Sequence, residues 1–198
     1  MLPVNFFTLL EVPIMGFHKI ETGIQGLCVL SPDYFPDARG YFFESYNQKA
    51  LSELGINTTF VQDNQSGSTK GVLRGLHRQI NYPQTKLVRV VEGAVYDVAV
   101  DIRKGSKTYG KYYGVILSAE NRQQFYIPQG FLHGFLVLSD HATFCYKVDD
   151  FYHPNDEGGI VWNDPDIGIK WPLEELGGAE IILSDKDRDA PRLKDLVL

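Results

Sequence analysis

Between Gly71 and Asp150, apolar residues alternate with others over short runs, and clusters of Gly, Pro, Asn and Asp separate those runs. Period-two alternation sends successive side chains to opposite faces of a pleated strand, so the pattern predicts an antiparallel sandwich or barrel. The clearest strands are KLVRVVEG (86–93), GAVYDVAVDI (93–102), YYGVILS (112–118), GFLVLS (134–139) and ATFCYKVDD (142–150). They are rich in Val, Ile, Tyr and Phe, as a half-buried pleated surface favours. Lys104 with Gly105, Asn121, Pro128 to Gly130, and Ser139 with Asp140 supply the turns. One short helix is predicted over about Gln48 to Leu54, with Asn47 to cap its first turn and Gly55 to stop it. Beyond Pro165 the pattern becomes irregular, and IKWPLEELGG and LSDKDRDAP predict short helices and loops over a barrel mouth. A tail of that kind can supply a functional residue.

Composition changes this picture only at its edges. At 198 residues, 43% hydrophobic and 13% aromatic, the chain has enough apolar matter for one well-filled core. Lys and Arg total 19 against 25 Asp and Glu, giving a net charge of −6. That balance argues against a diffuse basic surface for nucleic acid or anionic lipid, so any anionic ligand must be held by local positive residues. Cys28 and Cys145 lie far apart within apolar segments and read as buried thiols in a reducing compartment. The opening stretch contains Glu11 and Pro13 and lacks the basic start of a signal peptide. No apolar run approaches the roughly 20 residues of a membrane helix, so a cytoplasmic protein with no membrane partner is expected.

The densest polar segment, FVQDNQSGSTKGVLRGLHRQ (60–79), sets Gln62, Asn64, Arg74, His77 and Arg78 among strand-like stretches and suggests a lined cavity. Taken singly, each residue has a plainer reading. A strand histidine is most often structural, and a strand arginine is most often a surface charge. Strict alternation puts Arg74 and His77 on opposite faces, so their joint use requires Gly75 to mark a bulge. Lys86 opens a strand and alone reads as a solvated edge charge. Tyr146 alternates with Phe144 and Val148 and alone reads as a core tyrosine. His133 lies between glycine-bearing turns, as a cavity ligand or a turn packer. A cupin-type metal site wants a second histidine two residues after His77, where Gln79 stands. His77 and His133 are too few for a secure three-ligand site, so no catalytic metal is expected. No G-x-G-x-x-G, P-loop or G-x-S-x-G pattern is present, which leaves dinucleotide, triphosphatase and hydrolase readings without a motif.

Six separated segments taken together are far more specific: DARGYFFESYN, FVQDNQSGSTKGVLRGLHRQ, KLVRVVEGAVYDVAVDIRKGS, LSAENRQQFYIPQGFLHGF, YKVDDFYHPNDEGGIVWNDPDIGIKWP and LSDKDRDAP. In register from about Phe17 to Pro191, they resemble the dTDP-4-dehydrorhamnose 3,5-epimerases. The resemblance implies an all-β fold, a cupin-like antiparallel β-barrel (jelly roll) with a few short peripheral helices. It leaves residues 1–16 as an N-terminal extension and 17–198 as a single epimerase domain. It also implies a homodimer that uses no cofactor and no metal. His77 matches the family's general base, Asp187 the aspartate paired with it, Lys86 the lysine of K-L-V-R and Tyr146 the tyrosine of the Y-K segment. Arg74 matches the arginine that contacts the nucleotide diphosphate. Arg39, Glu44, Gln62, Asn64 and His133 resemble substrate-pocket positions. The chain departs from the family pattern at Arg78, often aromatic, and at Leu132, often smaller; both bear on pocket shape.

The implied chemistry suits these residue types. In a dTDP-4-keto-6-deoxy sugar, the hydrogens on carbons 3 and 5 are both alpha to one carbonyl, so one base and one electrophile serve two centres. An imidazole, with an ordinary pKa near 6.5, accepts a proton near neutral pH, and a paired aspartate fixes its tautomer. A lysine ammonium stabilises the enolate oxygen, and a tyrosine delivers a proton to the opposite face. No redox step is involved. Three alternatives remain open at this point: a mono-epimerase acting at carbon 3 or carbon 5, a non-catalytic sugar-nucleotide binding barrel, and a metal-dependent cupin oxygenase, against which Gln79 argues.

Overall fold

The alternating runs pair into two antiparallel sheets, and most spatial neighbours are distant in sequence. A computed structural model describes residues 16–196. One sheet has the order β1 (Phe17–Glu21), β2 (Cys28–Pro32), β10 (Gln124–Ile127), β7 (Lys86–Glu92), β12 (His141–Val148) and β5 (Gln62–Thr69). The other has the order β13 (Glu157–Gly159), β6 (Leu73–Gln79), β11 (Phe131–Val137), β8 (Ala94–Asp101) and β9 (Tyr112–Ser118). A separate hairpin joins β3 (Phe35–Asp37) to β4 (Gly40–Phe42). This is the cupin-like jelly roll that the resemblance implies. All five strands expected from alternation are present within a few residues of their predicted ends. The predicted extension lies outside the described residues except for Gly16.

Three apolar layers explain why several strands are apolar on both faces. Along β11, Phe131, Phe135 and Val137 point between the sheets, where they meet Val88, Val90, Phe125 and Phe144. The intervening Leu132 and Leu136 join an outer layer in which Ile160, Trp171 and Leu176 of the C-terminal segment cover the second sheet. On the opposite side, Leu51 and Ile56 cover Cys28, Leu30 and Leu87 of the first sheet. Leu51 belongs to α1 (Gln48–Glu53), whose first turn is capped by Asn47 accepting from the Ala50 N–H at 3.2 Å. The helix ends at Gly55, which takes a left-handed φ of 82°. Burying both faces in this way removes far more apolar surface than a one-sided sheet, and each fully buried large aliphatic contributes roughly 1.5–3 kcal/mol.

The tail is fastened where it matters for the cavity. Leu73 N–H donates to Ile182 O at 3.0 Å, and Ile182 N–H to Gly71 O at 2.9 Å. A side chain at Gly71 would meet Glu180 O at 2.3 Å, so the close approach needs glycine. This stitch sets α2 (Asp185–Arg188) beside β6, with Ser184 as its N-cap.

Candidate active site

A cavity of about 530 Å³ opens at one end of the barrel, with Arg74, His77, Lys86, His133, Tyr146 and Asp187 in its wall. Arg74 and His77 share it because β6 is bulged. On β11, His133 pairs with His77 and Phe135 with Arg74, so three residue steps on β6 oppose two on β11. Gly75 makes this possible: its φ is 110°, and an added Cβ would lie 2.6 Å from both Gly134 Cα and His133 O. The bulge that joint use of the two residues required is therefore present.

His77 Nε2 is hydrogen-bonded to Asp187 Oδ1, 110 positions later, across the gap between β6 and α2. Burial opposes ionisation of Asp187, but its bond to His77, the charge there, the Ser184 hydroxyl and the Gly75 N–H outweigh it. They hold the carboxyl below its ordinary value. An ionised carboxylate only accepts, so Nε2 donates to it, and in the neutral ring the other nitrogen offers a lone pair.

Lys86 is not an edge charge. It begins β7, which lies between β10 and β12 in the sheet interior. Burial pushes its pKa down to about 8, although Asp97 and Glu157 pull in the other direction. Tyr146 is neither a wholly enclosed core residue nor a surface one. It packs against the barrel interior yet lines the cavity, and burial raises its pKa, with Glu157 and Tyr152 adding to the shift. Phe135 and Phe144, stacked with centroids 4.3 Å apart, form apolar wall beside it. Arg74 donates to Ser68 Oγ at 3.0 Å and has no carboxylate partner among the described residues.

His133 is not in a turn but in the middle of β11, and its Nε2 lies 3.0 Å from each oxygen of Asp97 on β8. Burial lowers the histidine's pKa and raises the carboxyl's. Asp97 was not singled out in the sequence, although an acid in the middle of AVYDVAVD was the available signal: a carboxylate there must find a partner. Glu157, Lys186 and Tyr152 also line the cavity, and Lys186 is ion-paired with Glu157 at its rim.

Four predicted pocket residues stand apart. Gln62 and Asn64 bond each other at 2.8 Å and are not in the cavity wall, though they share a face of β5 with Ser66, which is. Glu44 accepts from Asn47 Nδ2 at 2.7 Å, beside α1. Arg39 pairs with Asp37 at the tip of the β3–β4 hairpin, with its side chain 90% exposed. Of the two departures from the family pattern, Arg78 contributes to the cavity wall, whereas Leu132 packs in the outer layer.

Comparison with known proteins agrees with this geometry. The family model described as dTDP-4-dehydrorhamnose 3,5-epimerase matches residues 21–195. The protein of that name from Escherichia coli is 53% identical over 182 residues, 91% of this chain and 96% of its own length. Its namesake from Methanothermobacter thermautotrophicus is 51% identical over 179 residues, covering 90% of this chain and 96% of its own. The crystal structure of dTDP-6-deoxy-D-glucose-3,5-epimerase from Legionella pneumophila, in complex with dTDP-4-keto-L-rhamnose, superposes with a TM-score of 0.87 at 50% identity. That match covers 91% of this chain and 95% of the Legionella chain. The chain belongs to the dTDP-4-dehydrorhamnose 3,5-epimerase family.

Proposed function

We propose that this protein epimerises dTDP-4-dehydro-6-deoxy-D-glucose at carbons 3 and 5, giving dTDP-4-dehydro-L-rhamnose. The observation that carries the reading is the meeting of a carboxylate-paired histidine, a half-buried lysine with no ion-pair partner among the described residues, and a cavity tyrosine in one wall. His77 takes the proton from carbon 3 or carbon 5, and Asp187 stabilises the imidazolium that forms. The electron pair of the broken C–H bond moves onto the 4-keto oxygen, where the Lys86 ammonium stabilises it. Tyr146 returns a proton to the opposite face of carbon 5 and solvent returns one at carbon 3, after which His77 passes its proton to solvent and Tyr146 regains one from it. Each inversion removes one proton and restores one, so no electrons are exchanged with any other group. Arg74 binds the diphosphate by charge-assisted hydrogen bonds. The test is incubation with the substrate in deuterated water, followed by NMR. Deuterium at both carbons supports the double epimerase, deuterium at one indicates a mono-epimerase, and none at either would indicate a non-catalytic binder.

The same reading includes a homodimer in the cytoplasm. The β3–β4 hairpin exposes Tyr41 at 59% and Phe42 at 58%, a surface that a second copy would cover. Arg39 rides on that hairpin away from its own cavity, which fits a role in the partner's. A monomer at micromolar concentration would count against the dimer. Mixing Arg39→Ala with His77→Ala chains should regenerate intact sites and activity. Two free thiols, Cys28 and Cys145, support a reducing compartment. Among the described residues, no helix is long and apolar enough to cross a membrane.

A further inference from the structure

We propose that Gln79 is a positioning residue that staples the two loops of the cavity rim together and thereby fixes Lys86 and Tyr152 relative to His77. Gln79 occupies the position where a cupin-type metal site would want a histidine, and its amide is used in full elsewhere. Only 5% exposed, it donates from Nε2 to Tyr82 O at 2.8 Å and Phe151 O at 3.3 Å, and accepts from His153 N–H at 2.6 Å. One side chain thus joins the β6–β7 loop (80–85) to the β12–β13 loop (149–156). The first loop runs directly into Lys86, and the second carries Tyr152 into the cavity wall. Gln79 itself follows His77 by two residues on the same face of β6.

Reciprocal contacts show that the two loops form one unit. Asp156 reaches back to the backbone N–H groups of Asn81 and Tyr82, at 2.9 Å each. The rings of Tyr82 and His153 stack 3.9 Å apart at 12°. Thr85 N–H donates to Asp149 Oδ1 at 2.6 Å, which carries the connection to the residue before Lys86. Without the Gln79 amide, two carbonyls and one N–H in this unit lose their partner, and the loops are held together less tightly. A lysine that stabilises a developing charge tolerates little displacement, so the loss falls on turnover more than on substrate affinity.

This inference rests on the epimerase reading, and the experiment separates the two. Gln79→Leu and the wild-type chain are compared for kcat, KM and hydrogen exchange of the rim loops. The expected result is a kcat lower by roughly 10- to 100-fold with little change in KM. Exchange in 80–85 and 149–156 should be faster, with β8 and β11 still protected. A folded Gln79→Leu chain with wild-type kcat overturns the proposal, because a purely structural staple would lower Tm alone. Should that variant not fold, Gln79→Glu keeps the size and the acceptor for His153 N–H but sets a carboxylate against two carbonyls. The same kcat loss supports the proposal, and an unchanged kcat overturns it. A wild-type chain without turnover would instead sink the epimerase reading, while loop exchange would still report on the staple.

Discussion

Two histidine–carboxylate pairs stand side by side in this barrel, on residues that are direct cross-strand partners, yet their environments drive them apart. His77 is 30% exposed to the cavity and takes its carboxylate from α2, at the far end of the chain. His133 is 9% exposed and takes its carboxylate from the next strand of the same sheet. Hydrogen bonds outweigh burial at Asp187 and lower its pKa; burial dominates at Asp97 and raises its pKa. The more exposed pair is the one proposed to exchange a proton with a ligand. The enclosed pair holds a fixed arrangement, and its carboxylate is one of the groups that raise the pKa of Lys86. The same two residue types therefore sit in two settings, divided by how far each is exposed to the cavity.

The sharpest way to break this contrast is to remove each histidine in turn. His77→Ala should lower kcat by roughly 10²- to 10⁴-fold while leaving ligand binding near wild type, since it deletes the proposed general base. Deuterium incorporation at carbons 3 and 5 should vanish with it. If His133→Ala instead abolished exchange while His77→Ala preserved it, the roles would be reversed.

Lys86 gives the next largest effect. Lys86→Met should cost roughly 10²–10³ in kcat, as expected for loss of one pre-organised stabiliser of an oxyanion. Its pKa of about 8 also sets a pH dependence. The ammonium is present below that value and lost above it, so activity should fall as pH rises through 8. Stability should move in the opposite direction. Between 8 and the ordinary lysine value of 10.5 the unfolded chain holds a proton that the folded chain has shed, so folding becomes more favourable as pH rises. The Tm difference between Lys86→Met and wild type should narrow over that window. An alkaline limb that persisted in Lys86→Met would assign it to another group.

Asp97→Asn tests the enclosed pair more gently. The amide can still accept from His133, so plateau activity should fall less than about tenfold. The alkaline limb should move to lower pH, because Asp97 is one of the charges that raise the Lys86 pKa. An unmoved limb would sever the link between the enclosed pair and the lysine.

The contrast between the pairs also marks how far the sequence could be read. Strands β7, β8, β9, β11 and β12 were legible because turn residues bracket apolar runs, and α1 because Asn47 and Gly55 punctuate it. Strands β1, β2 and β10 were not singled out. They are short, and an outer layer covers Cys28 and Leu30, so clean alternation is lost. Within the site, His77 and Asp187 were paired through resemblance, since no local pattern links positions 110 apart. Asp97 escaped notice because its strand reads as ordinary core. Lys86 read as an edge charge because sheet order, which encloses β7, depends on pairings that alternation does not encode.

The smallest expected effect lies at the rim, where Lys186 of α2 is ion-paired with Glu157 of β13. Lys186 neighbours Asp187 in sequence, and Glu157 is the cross-strand partner of Gln79, two residues from His77. The pair therefore ties the helix that bears the carboxylate to the sheet that bears the base. Lys186 is 52% exposed, and exposed pairs contribute only about 0.2–1 kcal/mol, so neither partner is required for folding. Glu157→Gln and Lys186→Met should each lower kcat by about 1.4- to fivefold, the factor that follows from that energy range. The exchanged double variant, Glu157→Lys with Lys186→Glu, should recover most of the loss if attraction across the rim is what holds α2 in place. An equal loss in the exchanged variant would mean instead that Lys186 acts on the anionic ligand directly. The open histidine pair would then owe its geometry to the Gly71–Ile182 stitch and the Ser184 cap alone.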